Sequence, residues 1–361
     1  MNEVNPQRSY EELIKQAHAA YQGLRLDEAL EHFRAAEALQ PESFEVHLGL
    51  AQTLTRMRRE EEAYRAAGKA LALAPERFEA HMALGILHFL ADRHDEAMAA
   101  LRRAAELAPG DPEPRLILAQ VSADLRRFAE AEAELGAAHE LIEAMKDQRA
   151  REQMLALAWH VETYVYLAEG KSAEAAESAQ KVISLERANP YAASLAYSNL
   201  GILELRQRRY NQAIEYLERA YQMNPHMHRA ALALGRLLLM RNQPERAAEV
   251  LGQTLERMPT PADGTERFFY AMALSRSGRR SEALNAYRRA LKEGLKGINK
   301  LGAWWQVIWL SSWRWAVIAV GVGLVLVWLI FFKPTPQTLT LVVLLAVILI
   351  LRRVIGRRLR S

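Results

Sequence analysis

Ten histidines are the first residues in this chain with the means to do chemistry. His81 and His88 are seven apart, two helical turns on one face, and His94 follows in the next turn. His226 and His228 flank Met227 just after Pro225. Helical zinc sites of the H-E-x-x-H kind pair two such histidines with a general base, and that pattern does not occur. No cysteine is present to complete a ligand set, so disulfides and thiol catalysis are excluded as well. His47 and His81 are thirty-four apart, a spacing shared by prolines and alanines of the chain, and this favours packing over ligation; no metal site is expected.

Other catalytic patterns fail in the same way. The run EGKSAEAA (169–176) ends like a phosphate-binding loop, but Val165 stands where that loop needs glycine, so it reads as a turn between helices. There is no G-x-S-x-G, no dinucleotide-binding glycine run and no kinase set. The carboxylates fall on helix faces that read as solvated, where nothing shifts their pKa values. The chain is therefore expected to be no enzyme and to need no cofactor.

Charge separates two regions. From Ile298 to the end there are eight Lys or Arg and no Asp or Glu, which leaves 39 basic against 43 acidic residues in the body. A mildly acidic body without a basic stripe argues against nucleic acid as a partner, and a basic apolar tail suits a membrane surface. The N-terminal MNEVNPQRSYEEL has no apolar stretch, so no signal peptide is expected and the body is expected in the cytosol. Alanine- and arginine-rich usage fits a bacterial source.

The elements that would position a site keep a period of thirty-four. Prolines recur at Pro41, Pro75 and Pro109 and again at Pro225 and Pro259. Alanines keep the same beat at Ala29, Ala63, Ala97 and Ala131, and seven places later at Ala36, Ala70, Ala104 and Ala138. Within each unit apolar residues lie at helical spacing in two runs, so the array is all-α. Small residues let the two helices approach, and proline stops the second one.

Leu200-Gly201, Tyr210, Ala213, Leu217, Ala220 and Pro225 stand at spacings that resemble the tetratricopeptide repeat (TPR). The resemblance implies a TPR-like α-solenoid, an array of about eight units at 10–43, 44–77, 78–111, 112–145, 156–189, 194–227, 228–261 and 264–297, after an N-terminal tail at 1–9. In the fourth unit Glu143 replaces the proline, so its second helix is expected to run on towards 146–153. The fifth has Glu162 and Thr163 where Leu and Gly belong, which leaves its register open. Trp159, Tyr164 and Tyr166 in that unit are read as core.

By analogy with the family, the concave face would hold a protein or peptide partner. Glu11, Glu45, Glu79 and Glu113 recur at the second place of the first four units. Arg56, Asn199, Arg206, Arg229, Arg236 and Arg276 stand at concave places further on. The groove is thus expected to be acidic towards one end and basic towards the other, although a first-turn glutamate is also favoured by the helix dipole wherever it lies. Asn199 and Arg229 occupy places like those of a carboxylate clamp, but His160, Tyr164 and Ala233 replace the rest of it. A receptor of that type is not expected.

The tail is expected to anchor the array as two transmembrane helices. Trp315 to Phe332 is eighteen residues without a charge, about 27 Å as a helix. The loop 333–338 breaks it, a second span is placed at 339–355, and the basic tail 356–361 comes last. Residues 298–314 read as an interfacial helix, with Trp304, Trp305, Trp309, Trp313, Arg314 and Trp315 at the lipid boundary and Arg352 and Arg353 at the far end. Arginines after the second span keep both termini cytosolic, making a two-pass integral membrane protein, of the cell membrane if bacterial. Ala319 and Gly323 give the first span a small-residue face for the second span or for a homo-oligomer. The sequence reads as a membrane-anchored TPR scaffold or adaptor. A subunit of an envelope assembly, or a hairpin-driven oligomer regulated by the repeats, stays open as an alternative.

Overall fold

The structure, a computed structural model, describes residues 6–258 and 263–311, together with Val320 and Leu324. Among the described residues there are seventeen helices and no strand. Eight pairs form the array: α1 (Pro6–Gln22) with α2 (Leu26–Leu39), α3 (Phe44–Arg56) with α4 (Glu60–Leu73), α5 (Phe78–Leu90) with α6 (His94–Leu107), and α7 (Glu113–Asp124) with α8 (Phe128–Glu143). Then come α9 (Gln148–Glu169) with α10 (Ser172–Ser184), α11 (Pro190–Arg206) with α12 (Tyr210–Met223), α13 (His228–Met240) with α14 (Pro244–Arg257), and α15 (Thr265–Arg276) with α16 (Arg280–Lys292). A last helix, α17 (Gly297–Leu310), packs on the eighth pair.

The recurring alanines make close packing possible. Ala29, Ala63, Ala97, Ala131, Ala213, Ala247 and Ala283, each near the start of a second helix, have no exposed surface. Where the helices of a pair cross, volumes are complementary. A β-carbon added to Gly85, Gly201 or Gly235 would lie 2.6 Å from Cγ of Leu101, Leu217 or Leu251. The fifth pair reverses the order: buried Thr163 replaces the glycine, and sixteen residues later buried Ala179 replaces the leucine. The departure from the motif at Thr163 is therefore compensated within its own pair.

The turns are built alike. One residue in each adopts the left-handed conformation: Leu24, Arg58, Asp92, Arg126, Arg208, Asn242, and glycine at 170 and 278. The next N–H then reaches back along the first helix. Arg59 N–H donates to Leu54 O at 2.9 Å, Arg93 to His88 O at 2.9 Å, and Gln243 to Leu238 O at 2.8 Å, a bond that satisfies a carbonyl otherwise orphaned at a helix end.

Several boundaries differ from the sequence reading. The first helix starts at Pro6, inside the tail placed at 1–9. In the fourth pair α8 ends at Glu143, because the Asp147 side chain accepts from the N–H groups of Arg149 and Ala150 and starts a new helix there. That helix, α9, therefore begins eight residues before 156 and runs for 22 residues, the longest in the array. Among the described residues no helix is long and apolar enough to cross a membrane. Apart from Val320 and Leu324, the spans placed at 315–332 and 339–355, with Trp313, Arg314, Trp315, Ala319, Gly323, Arg352 and Arg353, lie outside the described residues.

Candidate functional site: a closed chamber on the inner face

The first helices of successive pairs line the inner face, as stacking of helix pairs requires. That face is not an open groove along its whole length. The array curls until the turn between α10 and α11 meets the ends of α1 and α3, and a partly open chamber of about 550 Å³ lies between them. Arg56 narrows it on one side. Its guanidinium lies 3.8 Å from the ring centre of Tyr21 and 4.1 Å from that of Tyr191, held between first helices five pairs apart. It also donates to the Tyr21 carbonyl at 3.3 Å. A second bridge joins the first pair to the seventh: His226 Nε2 stands 3.3 Å from Asp27 Oδ2.

The chamber has two kinds of wall. Met82, Ile86, Leu90, Ile117, Leu157 and Leu195 make one side apolar. Arg56, Glu113, Gln120, Gln153, His160 and Asn189 supply polar groups. Two of these are buried without a partner among the described residues. His160, 7 % exposed, has an unpaired Nδ1, and Gln120, 9 % exposed, makes no side-chain hydrogen bond. Asn189 is already used, since its carbonyl oxygen caps α11 and its amide donates to Gln153 O at 3.1 Å.

Electrostatics depend on this enclosure. Burial pushes the Glu113 carboxyl up to about 7, with Asp111 adding to the rise and Arg56 opposing it. Burial pushes His160 down to about 4, so its ring is neutral. The expectation that every carboxylate stands on a solvated face with an ordinary pKa is thus corrected at Glu113. No cue in the local sequence marks it, because the enclosing wall comes from pairs far along the chain.

The remaining candidates lie elsewhere. Glu11 and Glu45 are exposed, and Glu45 meets His18 Nε2 at 3.1 Å. Glu79 pairs with Arg77 at 2.5 Å, which holds its carboxyl below the usual range. Asn199 is half-buried and Arg206 exposed. Arg229 is exposed and faces Tyr164, whose hydroxyl donates to Asp124. Arg236 lies 5.0 Å over the ring of Phe269, and Arg276 donates to Leu239 O at 2.9 Å. Of the ten concave-face candidates, Arg56 and Glu113 line the chamber. Tyr21, Tyr191 and Gln120 were missed by the sequence reading, and His160 was noted there only as a departure from the clamp.

Histidines elsewhere act structurally. His47 and His81 hold the carbonyls of Pro41 and Pro75 at 2.6 and 2.8 Å, tying each unit to the turn before it. His139 and Ser178 bond Glu162 at 2.7 and 3.1 Å, which accounts for that residue in the fifth unit. Among the described residues no group of three acidic or histidine side chains could hold a metal ion.

After the last pair, α17 has two faces. Ala303 is buried, and Val307 and Leu310 pack on the core of the last pairs. Ile298, Leu301, Trp304 and Trp305 are 82, 71, 53 and 57 % exposed. Trp305 and Trp309 stack with ring centres 6.1 Å apart.

Comparison with known proteins agrees with this architecture. Family models described as tetratricopeptide repeat match residues 14–70 and 204–265, and that of the anaphase-promoting complex, cyclosome, subunit 3 matches 56–138. The APC/C hetero-tetramer Cut9-Hcn1 is similar at a TM-score of 0.51 and 14 % identity, over 86 % of this chain and 57 % of that one. Yeast Tom70 is similar at 0.51 and 17 %, over 78 % of this chain and 56 % of that one. The chain thus spans a little over half the length of these two. A tetratricopeptide repeat protein from Parabacteroides merdae aligns over 74 % of this chain and 99 % of that one, at a TM-score of 0.45 and 17 % identity. No curated protein matches the sequence. The chain is a tetratricopeptide repeat protein, an all-α repeat superhelix whose repeats are of the kind that scaffold protein–protein interactions.

Proposed function

We propose that the chain is a membrane-tethered adaptor that holds a protein partner on the inner face of its later repeats. The observation that carries this reading is the pair of ordered, exposed arginines there. Arg236 is steadied over Phe269 and Arg276 by the Leu239 carbonyl, yet each leaves guanidinium donors unused. Side chains fixed before binding lose less freedom on contact. With Arg206 and Arg229 they make a basic surface on α11, α13 and α15 that suits an acidic segment of the partner.

Tethering is supported by α17 and by the segment after it in sequence. The outward apolar face of α17 leads to eighteen uncharged residues from Trp315 to Phe332, with Lys292, Lys296 and Lys300 beside it. We place the spans at 315–332 and 339–355, with the repeats on the cytosolic side. Anchoring raises the local concentration of a weakly held partner.

Two readouts on the full chain in native membranes test this. A photo-crosslinking residue at position 236 should link a discrete partner that the same group at exposed position 103 does not. Protease added to vesicles from the repeat side should leave a fragment covering 315–355. Crosslinks equal at both positions would refute the partner face, and complete digestion would refute the tether.

A further inference from the structure

We propose that the chamber is a binding site for a small organic carboxylate with an apolar body, separate from the face offered to a protein partner. Size is the first argument. A volume of about 550 Å³ lies within the range of roughly 300–1,000 Å³ usual for small-ligand sites, and the Arg56 clasp with Tyr21 and Tyr191 narrows it on one side.

The second argument is unused bonding capacity. Buried polar groups in a folded protein nearly always find partners. Here Gln120, 9 % exposed, lines the chamber and makes no side-chain hydrogen bond among the described residues. Arg56 makes one hydrogen bond, to a carbonyl, and no ion pair within 4 Å among the described residues. A guanidinium has five donors in a fork that matches a carboxylate. Arginine without a contacting acid, in a chamber whose single carboxyl is Glu113, selects for an anion.

Glu113 adds to the fit. Raised towards 7 by burial, it carries a proton much of the time near neutrality, so it can donate to an incoming carboxylate instead of repelling it. Met82, Ile86, Leu90, Ile117, Leu157 and Leu195, which also line the chamber, offer an apolar bed. The ligand is thus defined at both ends: an acid head at Arg56 and Glu113, and a hydrocarbon or aromatic body against the leucines and methionine. Because it would touch α3, α7, α9 and α11 together, it would also hold the curled array shut.

Titration calorimetry on the full chain in detergent, with a chain-free detergent blank, tests the site. The probes are phenylbutyrate, phenylbutanol and phenylbutylamine, which share a body and differ in the head. Phenylbutyrate should bind saturably at one equivalent, about tenfold or more tighter than the alcohol, with the amine weakest. Arg56→Gln should remove the preference for the acid, with the alcohol weakened only as far as loss of the clasp loosens the chamber, and Leu157→Trp should abolish both by filling it. Circular dichroism confirms that each variant is folded. Equal binding of the three probes, heat no greater than the blank, or an acid preference that survives Arg56→Gln would overturn the proposal. Should a variant fail to fold, the ranking of the three probes on the unaltered chain still decides.

Discussion

The guanidinium of Arg56 lies 4.1 Å from the ring centre of Tyr191, although 135 residues separate them in sequence. With Tyr21 on its other side, this contact turns an open spiral of repeats into a closed one. A half-desolvated cation–π contact contributes about 0.5–2 kcal/mol. Arg56→Ala should therefore cost roughly 1–3 kcal/mol, counting both rings. It should also open the array, seen as an increased radius of gyration in X-ray scattering with the helical circular dichroism unchanged. An unchanged radius would show that the clasp does not hold the curl.

Volume complementarity at the crossings makes a second prediction. Gly235→Ala gains helix propensity, about 1 kcal/mol, but its β-carbon would meet Leu251 Cγ at 2.6 Å. Overpacking of this kind costs about 1–3 kcal/mol, so the substitution should be neutral or destabilising in urea unfolding. Leu251→Ala in the same chain should partly rescue it, as Ala179 accommodates Thr163 in the fifth pair. Additive effects in this double-mutant cycle would speak against direct contact.

Arg229→Glu with Arg236→Glu should weaken crosslinking to the partner in membranes by an order of magnitude or so, with the melting temperature within a few degrees of the original. Neither residue belongs to the chamber, so carboxylate binding should persist. Undiminished crosslinking by the double variant would remove both arginines from the partner face.

Acid and base should each weaken the array, through different groups. His160 is held near 4 when folded, against 6.5 when unfolded, so the unfolded chain takes up protons first and stability falls as pH drops from 6.5 towards 4. His228, also pushed to about 4 by burial and by His226 and Arg58, acts in the same sense. Glu113 is raised from 4.5 to about 7, so its contribution is fully present below 4.5 and is lost as pH rises through 7. Glu113→Gln should therefore stabilise the chain more at pH 8 than at pH 4.5, by up to about 3 kcal/mol. Urea midpoints across that range read the difference directly, and a constant difference would mean that Glu113 titrates normally.

The fold was legible because its causes are local. A 34-residue beat of proline and alanine states where helices stop and where they touch, and those alanines are the fully buried ones. The long α9 was less legible, since its start depends on the Asp147 cap and not on a repeat position. The chamber was almost illegible. Glu113 and Arg56 were recognisable as inner-face residues, but Tyr191 lies beside the first repeats only because small rotations accumulate over several pairs. No pattern within one unit records that sum. The same holds for Asp27 and His226, which belong to unremarkable turns until the curl joins them.

That junction offers the most direct measurement. The chain has no cysteine, so Asp27→Cys with His226→Cys gives a single pair of thiols at a place where the native side-chain tips are 3.3 Å apart. Cysteine is shorter than either residue and a disulfide needs β-carbons about 3.5–4.5 Å apart, so a short bismaleimide is the probe. In membranes the account predicts rapid, near-complete intramolecular crosslinking, seen as a mobility shift. Arg56→Ala should slow it. No crosslink in the unaltered background, with both thiols still reactive to a monofunctional maleimide, would contradict closure of the array and with it the chamber.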